Sequence, residues 1–163
     1  KLAGASQPHK HLQLIPLPLA DAGERLPVEP AIAATLDNAT ADGIAIASQF
    51  PFIHGIAHLE ATPMADRAIA AAYLRDRYQS LLQTVGLLEP GHSLTAQPQT
   101  GAYNLLVTRQ WMLLVPRSQE SFESISVNSL GFAGSLFVRN ADQMALLKRY
   151  GPMTLLKQVS YPR

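Results

Sequence analysis

With 163 residues, 47% of them apolar and 15% charged, the chain is long enough to bury a core and too apolar to stay disordered. A formal net charge of +1 offers no field to gather nucleic acid or a membrane surface, and no apolar run approaches the ~18–20 residues of a membrane span. The lack of cysteine excludes a disulfide framework and any cysteine-held zinc, iron–sulfur or redox centre, which suits the cytoplasm.

Taken in order, the chain opens on its richest chemistry: Gly4-Ala5-Ser6-Gln7-Pro8-His9-Lys10-His11-Leu12-Gln13. An extended segment from Pro8 to Pro16 puts His9, His11 and Gln13 on one face. Lys10, Leu12 and Leu14 then share the other, with the leucines feeding a core. Positions two apart on a strand lie roughly 6.5–7 Å from each other, so two imidazoles can serve one small site. Gly4-Ala5-Ser6 is small enough for backbone N–H groups to curl around an anion. This stretch starts without an element leading into it, so the chain is expected to be a fragment whose upstream part is missing.

Pro16 and Pro18 end the first strand. Residues 20–51 are rich in alanine, and residues 30–36 suit a short helix with Ile32 and Leu36 on one side. Residues 52–59 predict a second strand. Thr62 is the expected N-cap of the clearest helix, with Pro63 at its first position and Asp66 in its first turn. Leu74, Tyr78, Leu81, Leu82 and Val85 continue it at helical spacing, and Gly86 stops it. Residues 89–101 predict a loop. Residues 103–108 and 111–116 predict a hairpin across Arg109-Gln110, which lacks the usual Asn-Gly turn chemistry. Residues 127–135 are rich in small side chains and lead into a predicted strand at 136–138. Asn140 with Gln143 forms a capping-box signature for a helix to Tyr150; Gly151 and Pro152 break it and start a last helix ending near Val159. Strands and helices do not alternate strictly, and the strongest strand pair is a hairpin. The expected class is α+β, a mainly antiparallel sheet with packed helices.

On chemistry alone, His9 and His11 are equally well read as two half-buried imidazoles or as a site. A metal would need further ligands, and only Gln13 is near; Asp21 lies beyond two prolines. A nucleophile needs a phosphate cradle and a neutral hydrogen-bonding neighbour, and Gly4-Ala5-Ser6 and Gln13 supply them. The nucleophile is preferred. His54 and His58 lie roughly 13 Å apart on a strand, too far to share a metal, and are read as structural. His92 is read as solvated, Tyr73, Tyr78 and Trp111 as core or core-rim anchors, and Arg109 and Arg117 as surface charges unless they lean over the site. Asn128-Ser129-Leu130-Gly131 suits either a turn or a close approach of backbone to ligand, and Arg139 adds a cation fit for phosphate.

The opening stretch resembles the His-x-His-x-Gln signature of ATP adenylyltransferases, the diadenosine tetraphosphate phosphorylases of the histidine-triad superfamily, in the branch with galactose-1-phosphate uridylyltransferase. Residues 103–108 with 111–117, and then residues 128–134, resemble the same family in the same order; residues 20–60 do so only loosely. The resemblance implies a histidine-triad-like fold, incomplete because the N-terminal half is missing. Residues 1–60 would end the N-terminal segment and residues 61–163 would form the C-terminal segment of the same structural unit. The implied reaction is phosphorolysis of diadenosine tetraphosphate to ATP and ADP through an adenylyl-histidine.

His11 would be the nucleophile and His9 its orienting neighbour, with Gln13 where hydrolases of the superfamily carry a third histidine. Gln bonds a phosphate oxygen but shuttles no proton, which favours phosphate over water as acceptor. Gly4, Ala5, Ser6 and Gln7 would cradle phosphate, and Asn128, Ser129 and Leu130 would contact nucleotide. Ser135 and Arg139 fall at further contact positions, where methionine and lysine are expected. The resemblance implies no tightly bound cofactor and no protein metal site, with a divalent cation such as magnesium accompanying the nucleotide. Its partners are a dinucleoside polyphosphate, ATP, ADP, inorganic phosphate and the missing N-terminal half, with no nucleic acid and no membrane. The rivals are a uridylyltransferase-like or hydrolytic relative, a non-catalytic nucleotide-binding module, and a metal protein using His9 and His11.

Overall fold

The computed structural model describes residues 2–4, 12–19, 25–37, 39, 43–60, 66–96 and 98–163. Among them the elements run α1 (Glu29–Leu36), β1 (Ile44–Ala45), β2 (Gly55–His58), α2 (Arg67–Thr84), β3 (Tyr103–Val107), β4 (Trp111–Pro116), β5 (Ser121–Phe122), β6 (Ile125–Ser126), α3 (Ser129–Phe132), α4 (Ala141–Tyr150) and α5 (Pro152–Gln158). The main sheet has the order β1-β2-β4-β3, antiparallel throughout, and β5 and β6 form a separate hairpin. The α+β expectation holds. No helix of the described residues is long and apolar enough to cross a membrane.

Every residue of β4 is buried, because the strand is central and both its faces are covered. The period of two sorts its side chains into two cores. Trp111, Leu113 and Val115 join Ile56, Phe50, Phe52, Val127, Phe132, Leu156 and Val159 on one side. Met112 and Leu114 join Ala57 and the Leu81, Leu82 and Val85 of the α2 end on the other. Gly55 lets α2 lie close, since a Cβ there would come within 2.9 Å of Leu81 Cδ2. The Trp111 indole N–H donates to Glu29 Oε1 at 2.9 Å, tying α1 to the sheet. Across the sheet from these, the Tyr78 and Tyr103 hydroxyls meet at 2.5 Å.

The expected hairpin forms, pairing Tyr103 with Pro116 and Val107 with Met112. Its turn is held by Thr108, whose Oγ1 accepts from the Gln110 and Trp111 N–H groups at 3.1 Å each, replacing the absent Asn-Gly chemistry. The second strand is shorter than expected, four residues, with Phe52 contributing only an isolated bridge to Pro162.

Other expectations need correction. The α2 N-cap is Asp66, whose carboxylate accepts from the N–H groups of Ala68 and Ile69; Thr62 and Pro63 lie outside the described residues. Residues 136–138 are not a strand, and Leu136 instead packs beneath Gly131. The first predicted strand is described only from residue 12 onward, and residues 12–16 are unpaired. Leu12 and Leu14 are 92% and 103% exposed, not core residues. Pro16 removes a ladder donor there, and residues 12–16 pair with none of the described strands. The capping signature at Asn140 holds in a shifted form. The Asn140 side chain accepts from Gln143 N–H at 2.9 Å, but the Gln143 side chain reaches back to Arg139 N–H, one residue further out.

Candidate nucleotide site

The candidate site is built on a buried cation. The alternation of β4 carries Arg117 onto the face of Trp111, Leu113 and Val115, and its side chain is 1% exposed. Its Nε donates to Val159 O at 2.9 Å. One terminal nitrogen donates to Asn104 Oδ1 and to Val127 O, the latter at 2.8 Å. The other donates to Gln119 O and Glu120 O at 2.9 and 3.2 Å. All five N–H groups of the guanidinium are used, and every bond ends on a carbonyl or amide oxygen. Burial pulls its pKa down to about 10, with the Glu120 charge working the other way, so the group keeps its charge at neutral pH. The surface reading of Arg117 is therefore wrong. It is a frame, closed over the Phe132 ring at 5.4 Å.

Asn104, buried in β3, passes that frame on to the N-terminal segment. Its Nδ2 donates to Ala3 O and to Ser129 Oγ, both at 2.9 Å. Sequence reasoning named neither Asn104 nor Arg117 as part of the site. The available signal was a polar residue at a core-facing register of each hairpin arm.

The segment they hold starts at Asn128, the N-cap of α3, whose Oδ1 accepts from Leu130 N–H at 3.0 Å. Leu130 O in turn accepts from Ala133 N–H at 3.0 Å and Ser135 N–H at 2.9 Å, which folds Ser135 back onto the same turn. Gly131 permits this tight path, since a Cβ would meet Val127 Cγ1 at 2.7 Å. Against this turn lies Gly4, with φ +69°; a Cβ there would sit 2.2 Å from Val127 O and 3.1 Å from Asn128 Cα. Two stretches singled out at opposite ends of the sequence are thus in contact.

Of the predicted site residues, the structure brings together Gly4, Asn128, Ser129, Leu130 and Ser135. Ala5, Ser6, Gln7, His9 and His11 lie outside the described residues. Gln13 is exposed in the unpaired segment, and Arg139 is exposed just ahead of α4. Two open grooves occur elsewhere among the described residues. One of about 320 Å³ is lined by residues such as Ser118, Gln119, Lys157 and Tyr161. The other, of about 210 Å³, is lined by residues including Thr35, Ile46 and Gln49. No described His, Asp or Glu side chains cluster in threes to hold a metal ion.

His54 is structural, as expected. It is buried, accepts from Ala47 N–H through Nε2 at 2.9 Å, and donates through Nδ1 to Phe52 O at 2.8 Å. Burial lowers its pKa, so it is the neutral ring that fits.

Known proteins resemble the chain over most of its length. Residues 48–162 match the ATP adenylyltransferase C-terminal domain, and residues 1–34 match the Ap4A phosphorylase N-terminal domain. The chain is 26% identical over 149 residues to diadenosine 5',5'''-P1,P4-tetraphosphate phosphorylase 2 of Saccharomyces cerevisiae, covering 87% of this chain and 43% of that protein. In fold it resembles yeast Ap4A phosphorylase Apa2 in complex with AMP, at TM-score 0.65 and 22% identity, over 99% of this chain and 53% of the other. The same yeast enzyme in complex with Ap4A aligns at TM-score 0.54 and 24% identity, over 73% and 38% of the two chains. The chain thus spans about half the length of the relatives it matches. With 48–162 matched, well over half of its residues, it belongs to the ATP adenylyltransferase C-terminal domain family.

Proposed function

We propose that this chain is part of an Ap4A phosphorylase, a nucleotidyltransferase that converts diadenosine tetraphosphate and inorganic phosphate to ATP and ADP. The observation that carries the reading is the contact of Gly4 with Val127 and Asn128. It joins the turn proposed to cradle phosphate to the turn proposed to hold nucleotide. Membership of the family and likeness to a fold that binds AMP and Ap4A in yeast support it.

In the proposed mechanism an imidazole nitrogen of His11 attacks an α-phosphorus, the P–O bond breaks and ATP leaves. A phosphate oxygen then attacks the adenylyl group, the P–N bond breaks and ADP leaves. His9 orients the ring, and Gln13 bonds a phosphate oxygen without activating water. Backbone N–H groups of residues 4–7, with Ser135 and Arg139, meet the phosphate charge. A divalent cation such as magnesium enters with the nucleotide, and the cytoplasm is the proposed compartment. Residues 1–60 and 61–163 act as two segments of one structural unit. Since the chain spans 43% of its curated yeast relative, residues 1–163 alone are proposed to be inactive, with activity returning when an N-terminal half is added.

The test is to supply diadenosine tetraphosphate and phosphate to residues 1–163, alone and with an N-terminal half, and to follow the products. ATP and ADP in equal amounts from the combined halves support the reading. AMP in place of ADP indicates a hydrolase, and no turnover in either case overturns the proposal.

A further inference from the structure

We propose that Asn104 is a positioning residue that clamps the phosphate-cradling turn onto the nucleotide-binding turn, an inference that rests on the function proposed above. Asn104 is 6% exposed, and its amide is committed on both sides. Oδ1 accepts from Arg117, and Nδ2 donates to Ala3 O and Ser129 Oγ. The orientation of the amide follows from chemistry. A guanidinium can only donate, so the oxygen must face Arg117, and the two remaining N–H groups must face Ala3 and Ser129. Arg117 is itself immobilised by four carbonyls. One side chain therefore relays a rigid buried frame to two turns that lie far apart in sequence. Asn104 has no need to touch the nucleotide to set where its phosphates bind.

This arrangement permits a substitution that separates the clamp from the fold. Asn104→Asp keeps an acceptor for Arg117 and gives that buried cation a counter-charge. It removes both donors and sets a negative charge against Ala3 O, which can only accept, while the Ser129 hydroxyl can turn its proton to the carboxylate, so the tether to the N-terminal segment is the one lost. The full chain and its Asn104→Asp variant are to be compared by AMP titration calorimetry, by thermal melting, and by the proton–proton nuclear Overhauser effect between Gly4 and Asn128. The expected result is a melting temperature equal to or above that of the parent, loss of the Gly4–Asn128 cross-peak, and AMP binding at least about tenfold weaker.

A retained cross-peak overturns the proposal, and so does a lost cross-peak with AMP affinity within twofold of the parent. If Asn104→Asp does not fold, Asn104→Ser is read by the same two measurements, because its short hydroxyl cannot span both acceptors. If the parent binds no AMP while the cross-peak still depends on Asn104, the clamp stands and the nucleotide reading falls.

Discussion

Gly4 and Val127 touch backbone to backbone: a Cβ on Gly4 would lie 2.2 Å from the Val127 carbonyl oxygen. Gly4 also sits at φ +69°, where an L side chain costs about 1–2 kcal/mol before any clash. Gly4→Ala should therefore lift the N-terminal segment off Asn128 without disturbing either core. The expected outcome is AMP affinity lowered by about tenfold or more, with a melting temperature close to that of the parent, read by calorimetric titration and a thermal melt. Unchanged affinity would show that this contact does not shape the site.

The reading of His11 and Gln13 makes a chemical prediction. With labelled dinucleotide and no phosphate, the active protein should carry an acid-labile, base-stable adenylyl group on His11, and His11→Ala should carry none. Gln13→His should shift the products from ADP toward AMP, because imidazole can move a proton from water where an amide cannot. Peptide mapping locates the label, and the AMP-to-ADP ratio at fixed phosphate reports the acceptor.

Arg117→Met keeps much of the side-chain volume and removes all five donors. It leaves the oxygens of Asn104, Gln119, Glu120, Val127 and Val159 short of a partner. A loss of about 3 kcal/mol or more is expected, read from the shift in urea midpoint at constant slope. A loss under about 1 kcal/mol would mean that water takes over those bonds.

His54 sets a pH dependence. Its folded pKa is lowered from 6.5 by burial, so between 6.5 and that lower value the unfolded chain binds more protons than the folded one. Stability is complete above about 6.5 and falls as pH drops below it, since protonation costs Nε2 its bond from Ala47 N–H. His54→Phe should be less stable at neutral pH, and its stability difference from the parent should narrow as the pH falls from 6.5 to 5. Parallel curves over that range would assign the acid sensitivity to other groups.

The hairpin, α1, α2 and α4 were legible because their signals are local: β-rich arms around a short turn, a proline at a first turn, leucines at helical spacing, an Asn140 cap. Residues 136–138 carry the same apolar character as a strand, yet Leu136 is used to fill the space beside Gly131. Composition could not distinguish those uses. Arg117 was misread because the carbonyls that satisfy it come from residues 119, 120, 127 and 159, and only the folded chain gathers them. The clue was its register, two beyond Val115 on a buried face. Asn104 gave the same clue beside Leu106. The family resemblance found both turns of the candidate site but not the clamp between them.

The acceptor of Arg117 Nε lies at Val159, 42 residues further along. On a ribosome, Asn104, Arg117 and the turn at Asn128 emerge before it does. Until Val159 follows, the guanidinium lacks its protein acceptor for that donor, and the loop it would fix has one fewer restraint. The proposed nucleotide site is then completed only once Val159 has followed Arg117. A stalled nascent chain ending before Val159 would hold the letters of the site without its geometry.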